Sequence, residues 1–309
     1  MTTADPSLIV QLAGGLGNQL FQYAFGRALS LETGRRLFLD RTSGFIADRT
    51  YRRVYALDRL PISGSDAGLL RSAAFFAAKA FRRAPQAGGI GVVDCPWGRH
   101  LVELRQNHHP SLADLLTTPA VWCEGYWQSS IAFDRHAETI AGETLPPDPQ
   151  SGRLRDLGRQ AADTESVAIG VRLFEECPRP QPHVAGTPFY RLAIDAIRDR
   201  VRDPVFFLFS TDRHRAARLL PDGVRWVDAT VAGGVSTDMD AYWLMSRCRH
   251  HVIAQSTLYW WAAWAAARRT GAGGCVVAHD HFANPACVPS SWMRLAPAGL
   301  DAAVAAPVN

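Results

Sequence analysis

Glycine turns, guanidinium groups and hydroxyls that follow strands are the residue types that hold phosphates, and the chain places them at several strand ends. The first such place is 8–29, LIVQLAGGLGNQLFQYAFGRAL. Its pattern predicts a buried strand over 8–13, a turn Gly14-Gly15-Leu16-Gly17, and a helix starting near Asn18. Such a turn lets backbone N–H groups approach a ligand, and the helix N-terminus favours an anion. Arg172 ends the otherwise apolar strand 166–172, SVAIGVR, where a buried guanidinium without an anion is costly. Ser210-Thr211-Asp212 follows the apolar strand 205–210, and Ser256-Thr257 follows the strand 251–255. Ser256 and Thr257 read equally as helix caps and as ligands for a phosphate or ribose. Asn18 likewise reads as an N-cap. Tyr126 and Trp127, in an aromatic-rich strand over 121–130, can stack on a sugar ring or pack in a core.

Other chemistries are less well served. A dinucleotide fingerprint needs a third glycine where Leu20 stands, although Asp40, ending the strand 36–40, occupies the place of a ribose-binding acid. A nicotinamide-dependent oxidoreductase is therefore a secondary reading. The only lysine is Lys79, which excludes a Gly-Lys-Ser/Thr phosphate loop and a Schiff-base lysine. Asp238-Met239-Asp240 mimics an Asp-x-Asp metal signature but precedes a helix, so Asp240 reads as a capping acid, with contact to a base or ribose as its alternative. His108-His109 and His250-His251 are adjacent pairs without zinc spacing, and the expectation is no metal and no cofactor. The six cysteines form no C-x-x-C pair and read as small hydrophobes in a reducing compartment. A formal charge of +4 with scattered arginines argues against nucleic acid. No signal peptide and no run of ~18 apolar residues is present, so a cytoplasmic protein is expected.

These residues need strands to present them. A composition shift at 145–164, opening with Leu-Pro-Pro-Asp-Pro, marks a boundary between a domain over 1–150 and a second over 151–309. After the opening strand–helix–strand, 41–66 reads as a solvated face or as a loop bearing on a second substrate. The stretch 67–83 is an amphipathic helix with Leu69, Ala73, Phe76 and Ala80 on one face and Ser72, Lys79, Arg82 and Arg83 opposite. Packing on the core is its first reading, and peripheral contact with the inner face of a membrane its second. A Pro/Gly/Ala-rich loop over 84–91 follows. The second half alternates strands and helices to a last strand at 275–278, which implies parallel sheets with ligands beyond the strand C-termini. The fold class expected is α/β, two Rossmann-like domains facing a central cleft.

Three stretches taken together resemble the bacterial α-1,2-fucosyltransferases, glycosyltransferase family 11. The opening segment is similar to the family's GGLGNQLFQYA signature, 205–212 to its strand ending Phe-Ser-Asp-Asp, and 244–264, LMSRCRHHVIAQSTLYWWAAW, to its LMS-x-C-K-H…ANSTFSWWGAW block. EGYWQS at 124–129 resembles a further family segment. The resemblance implies a GT-B-type fold, a GDP-fucose donor, a glycan acceptor, inversion at the anomeric carbon and no metal. The 1–150 domain would take the acceptor side and 151–309 the donor. It assigns donor contacts to Gly14, Gly15, Gly17, Asn18, Gln19, Arg172, Ser210, Thr211, Asp212, Asp240, Gln255, Ser256 and Thr257. Arg172 would bind the diphosphate and neutralise the leaving group, and Asn18 would act at the cleft floor. The family's His-x-Arg-Arg-Gly-Asp-Tyr is here Gly170-Val171-Arg172-Leu173-Phe174-Glu175-Glu176. Glu175, in place of the Asp, is the candidate general base, with Glu176 and Asp212 as competitors. The departures leave a donor-switched or non-catalytic relative as alternatives. Neither the acceptor glycan nor the oligomeric state follows from the sequence.

Overall fold

The computed structural model describes residues 5–46, 48–81, 84–86, 89–104, 116–174, 185–270, 273–280 and 287–296. The chain divides into two compact units, Met1–Pro147 and Asp148–Asn309, and the division falls inside the Leu-Pro-Pro-Asp-Pro run. Among the described residues no helix is long and apolar enough to cross a membrane.

The first unit contains β1 (Ser7–Gln11), α1 (Leu16–Thr33), β2 (Arg36–Asp40), α2 (Ser43–Ile46), β3 (Ser65–Asp66), α3 (Gly68–Ala77), β4 (Ala84–Gln86), β5 (Ile90–Cys95), β6 (Gly98–Glu103), β7 (Ala120–Glu124) and α4 (Ala137–Thr144). Its sheet runs β3-β2-β1-β7-β6-β5-β4, parallel from β3 to β6 and antiparallel through β5 and β4. Leu8, Ile9 and Val10 are fully buried, as a central strand covered on both faces requires. One carboxylate ties α1 to the rest: Glu143 on α4 accepts from Tyr23 Oη at 2.6 Å, Arg27 Nη2 at 2.8 Å and Ser63 Oγ at 2.9 Å.

The second unit contains α5 (Gly152–Ala162), β8 (Ser166–Gly170), α6 (Thr187–Arg198), β9 (Val205–Phe209), α7 (Arg213–Ala217), β10 (Trp226–Asp228), α8 (Asp238–Arg247), β11 (His250–Ile253), α9 (Thr257–Thr270), β12 (Val276–His279) and β13 (Met293–Leu295). Its sheet is parallel throughout, in the order β10-β9-β8-β11-β12-β13. Val167, Ile169, Phe206, Leu208 and Val252 pack beneath Phe189, Ala193, Ile194 and Ile197 of α6. Trp260, Trp261 and Trp264 are buried and contact one another, a core role.

Several local expectations change. The first helix starts at Leu16, so Asn18 is its third residue and not its cap. The strand expected over 121–130 ends at Glu124, because the chain turns at Gly125 and Trp127 takes a φ of 52°. The expected loop 84–91 contributes β4 and the start of the β5–β6 hairpin, and β13 lies past the strand taken as last. The largest correction concerns α3. Leu69, Ala73, Phe76 and Ala80 are exposed, while Ser72, Phe75 and Ala78 are buried. The cause is Asp40, buried at the end of β2. Its carboxylate needs donors, and it accepts from Ser72 Oγ at 2.7 Å, from the backbone N–H groups of Thr42 and Ser43 at 3.0 Å, and from Ser43 Oγ. Asp40 is thus a structural acid, which removes the ribose contact on which the nicotinamide reading leaned.

Candidate active site

In each unit the strand order reverses beside the first strand, and an open parallel sheet binds ligands beyond the strand ends at such a point. In the first unit, β1 leads outward to β2 and β3 on one side, while β7 pairs with it on the other. The turn after β1 and the turn after β7 therefore face the same edge. Gly14 has a φ of 74°, and a Cβ there would lie 2.6 Å from Asn18 Nδ2, so the turn demands glycine twice over. Gly15 caps α1 without a side-chain hydrogen bond, which leaves the first turn open to an anion. The half-buried Asn18 accepts from Gln128 Nε2 at 3.0 Å, joining the two turns across the reversal. A cavity of about 380 Å³ at this edge is lined by Gln11, Gln22, Glu103, Glu124 and Tyr126.

Two residues expected at ligands are committed elsewhere. Gln19 is fully buried; its Nε2 donates to Gly14 O and Val54 O, each at 2.9 Å, and its Oε1 accepts from Ala56 N at 2.9 Å. It pins the turn from behind and does not face a donor. Trp127 is fully buried and stacks on Phe25, with ring centroids 4.1 Å apart and planes 2° apart, so it is core and not a sugar platform. Tyr126 alone of that pair reaches solvent.

In the second unit, β8 leads outward to β9 and β10, and β11 pairs with it on the other side. Gly170 is in register with Phe209 on β9 and with Ile253 on β11. Arg172, Thr211 and Gln255 each follow two residues later, so all three emerge at one edge. Two tyrosine hydroxyls fix the end of β8: Tyr190 Oη donates to Gly170 O at 3.2 Å, and Tyr259 Oη to Val171 O at 3.3 Å. Burial holds the Tyr190 phenol well above its ordinary pKa, so it stays a donor. Arg172 is half-buried, with its guanidinium 4.6 Å from the Phe174 ring centroid; Phe174 takes a φ of 52°. Ser256 precedes α9, its Oγ 3.5 Å from Tyr259 N, and Thr257 is the first residue of that helix.

Two acids here are caps. Asp212 opens α7 and accepts from Arg215 N at 2.9 Å. That bond holds its pKa below the ordinary carboxylate value, which suits a cap and makes a poor base. Asp240 closes a capping box with Thr237 at the start of α8: Thr237 Oγ1 accepts from Asp240 N at 3.0 Å, and Asp240 Oδ2 accepts from Thr237 N at 3.2 Å. Ser210 is nearly buried and Thr211 exposed at the end of β9. Glu175 and Glu176 lie outside the described residues. A larger hollow of about 610 Å³ between Glu165, Arg200 and His250 lies at the opposite edge, where β8, β9 and β11 begin, and ligands to parallel sheets do not bind there. Among the described residues no group of three His, Cys, Asp or Glu is placed to hold a metal ion.

The structure also brings in residues that the sequence reading passed over. Arg53 sits beside the glycine turn: a Cβ built on Gly15 would lie 3.8 Å from its Nε and Cζ. Its guanidinium also lies 5.6 Å from the Tyr51 ring centroid. The signal was only the Arg/Tyr-rich stretch around 51–55. Glu103 ends β6, and its Oε2 accepts from Tyr126 N at 2.7 Å and Trp127 N at 2.9 Å, fixing the turn after β7. Burial raises its pKa despite those bonds.

Residues 154–283 match the sequence profile described as Glycosyl transferase family 11. An α-1,2-colitosyltransferase of Escherichia coli is 27% identical over 267 residues, covering 83% of this chain and 87% of that protein. The O-antigen biosynthesis glycosyltransferase WbnK of Escherichia coli is 24% identical over 290 residues, covering 82% and 88%. The chain is a glycosyltransferase whose 154–283 stretch is similar to family 11. A solved structure of an Arabidopsis thaliana FUT1 mutant in complex with GDP aligns with a TM-score of 0.50 at 16% identity, over 88% of this chain and 70% of that one. The shared architecture is GT-B, which agrees with the two Rossmann-like units. The stretch matched to family 11 contains Arg172, Ser210, Thr211, Asp212, Asp240, Gln255, Ser256 and Thr257; the glycine turn and Tyr126 lie outside it.

Proposed function

We propose that this glycosyltransferase moves L-fucose, or a closely related sugar, from a GDP donor to a hydroxyl of a glycan, in α-1,2 linkage to galactose. The acceptor oxygen attacks the anomeric carbon as its bond to the GDP phosphate oxygen breaks, which inverts that centre. The acceptor proton passes to a carboxylate, and the leaving diphosphate keeps the bonding pair. The observation that carries the reading is the strand reversal between β8 and β11, with Arg172, the Ser210-Thr211 turn and the start of α9 on one edge. A guanidinium and a helix N-terminus are suited to stabilising charge that builds up on a departing diphosphate. The cavity at the end of β1, β6 and β7 suits an acceptor sugar, with Tyr126 as the available ring. The base assigned by resemblance is Glu175; Glu103 and Glu124 are the carboxylates that line the acceptor cavity.

Colitose is the second donor reading. It is favoured by the Escherichia coli colitosyltransferase relative and by the stretch 170–176, which keeps Arg172 while its neighbours depart from the family pattern. The test is transfer from GDP-fucose and from GDP-colitose to a galactose-terminated acceptor, with the product read by mass spectrometry and its linkage by NMR. An α-1,2-linked product from either donor supports the reading and names the sugar. GDP binding without transfer from any guanosine diphosphate sugar would refute catalysis. The reaction as drawn uses no metal, so chelation should leave its rate unchanged. Glu175→Gln should abolish turnover while GDP binding persists; an unchanged rate moves the role to Glu103 or Glu124.

A further inference from the structure

The outward face of α3 has the wrong chemistry for water. Leu69 is 79% and Leu70 91% exposed, and Ala73, Phe76 and Ala77 share their side of the helix. The polar residues point the other way: Ser72 is bonded to buried Asp40, and the Arg71 guanidinium lies 4.1 Å from the Phe38 ring centroid. The apolar face continues past the helix through the exposed Phe81, whose ring meets that of Trp97 edge-on at 5.5 Å. Contiguous exposed apolar patches of this kind mark contact with another surface.

The charge around the patch says which surface. From 67 to 93 the sequence carries Arg71, Lys79, Arg82 and Arg83 and no acid. Lys79 lies over the edge of the patch, 5.6 Å from the Phe76 ring centroid, while Arg82 and Arg83 lie outside the described residues. The flanking acids are engaged, Asp66 near Arg41 at 3.7 Å and Asp94 with Arg99 at 2.7 Å. We propose that α3, with Phe81 and Trp97, docks on a negatively charged phospholipid surface, burying its leucines and aromatic rings in the interface with Lys79 at the headgroups. Apolar insertion joined to basic residues is how a helix lies on such a surface without spanning it.

The test is co-sedimentation of the full chain with vesicles of phosphatidylglycerol and phosphatidylcholine in equal parts, and with vesicles of phosphatidylcholine alone. The wild type should bind the anionic vesicles, bind the neutral ones more weakly, and lose binding as salt rises. Leu69→Glu/Leu70→Glu should lower anionic-vesicle partitioning by at least about tenfold, since both side chains leave the apolar phase. Both residues are exposed, so its thermal midpoint should match the wild type. Ile131→Glu, at an exposed apolar position away from the helix, should bind normally. No vesicle binding by the wild type, or equal binding by the double variant, overturns the proposal. So does a wild-type dimer in sedimentation that the double variant abolishes without any vesicle binding, since a second copy would then cover the face.

Discussion

Gly170→Ala tests whether the end of β8 and the start of α9 form one packed unit. A Cβ on Gly170 would lie 2.4 Å from Cδ2, 2.6 Å from Cε2 and 2.9 Å from Cγ of Tyr259. Non-bonded carbons rest at about 3.5–4.0 Å, so the ring must withdraw by about 1 Å. It has little room, being 7% exposed and bonded through its hydroxyl to Val171 O. Overpacking of this kind costs about 1–3 kcal/mol. For a unit of this size each kcal/mol lowers the thermal midpoint by about 2–4 °C. Tyr259 stands on the first turn of α9 beside Ser256, so its retreat shifts that helix end relative to Arg172. GDP affinity should therefore fall at least about tenfold, as expected for a misplacement on the order of 1 Å. The assay is a double-mutant cycle with Tyr259→Ala, read by urea unfolding and GDP titration. In the Tyr259→Ala background the added methyl meets no ring, and the two changes should couple by about 1–3 kcal/mol. A Gly170→Ala protein within about 0.5 kcal/mol of wild type, or the same cost in both backgrounds, would refute the packing argument.

Acid should weaken the fold in two stages. Burial pushes the pKa of His100 and of His251 from 6.5 to about 4, so stability is full above pH 6.5 and is lost as pH falls toward 4, by up to about 1.4 kcal/mol per pH unit for each ring. Urea midpoints at pH 7 and pH 5 check this, and a flat profile would contradict it. Burial alone would raise the Glu143 pKa, but hydrogen bonds from Arg27, Tyr23 and Ser63 outweigh it and hold the group below its ordinary 4.5. Its contribution is therefore present above pH 4.5 and disappears as the carboxylate protonates. Glu143→Gln should destabilise at pH 7 by about 1–3 kcal/mol, with the gap to wild type closing in acid; a gap that persists there would contradict the sign. Asp212→Ala should lower the thermal midpoint and leave turnover near wild type, with Asp212→Asn restoring the midpoint; a collapse of turnover in both would make Asp212 more than a cap.

Both Rossmann-like patterns were legible because their central strands are continuous apolar runs: Leu8, Ile9 and Val10 in one unit, Val167, Ala168 and Ile169 in the other. The positions following those strands were legible too, since a parallel sheet puts its ligands there. What the sequence concealed was which polar residues the fold consumes. Gln19 looked like a ligand because it adjoins a glycine turn, yet its amide meets three backbone groups, two of them, Val54 O and Ala56 N, from a segment far along the chain. Asp40 looked like a ribose acid, but its partner Ser72 comes from a helix whose periodicity pointed the other face inward. Periodicity ranks side chains by hydrophobicity, so it does not register a buried carboxylate that draws a serine into the core and turns five apolar residues outward. Trp127 was ambiguous for a similar reason, because only the turn fixed by Glu103 decides which of two adjacent rings is exposed.

The central claim is that Arg172 at the β8–β11 reversal holds the diphosphate of a guanosine-linked donor. The most direct measurement is calorimetric binding of GDP to the wild-type protein and to Arg172→Ala, with UDP and NAD as controls. The account predicts GDP binding by the wild type, loss of at least about tenfold in a folded Arg172→Ala protein, and none for UDP or NAD. Undiminished GDP binding by Arg172→Ala, or NAD binding in place of GDP, would contradict it.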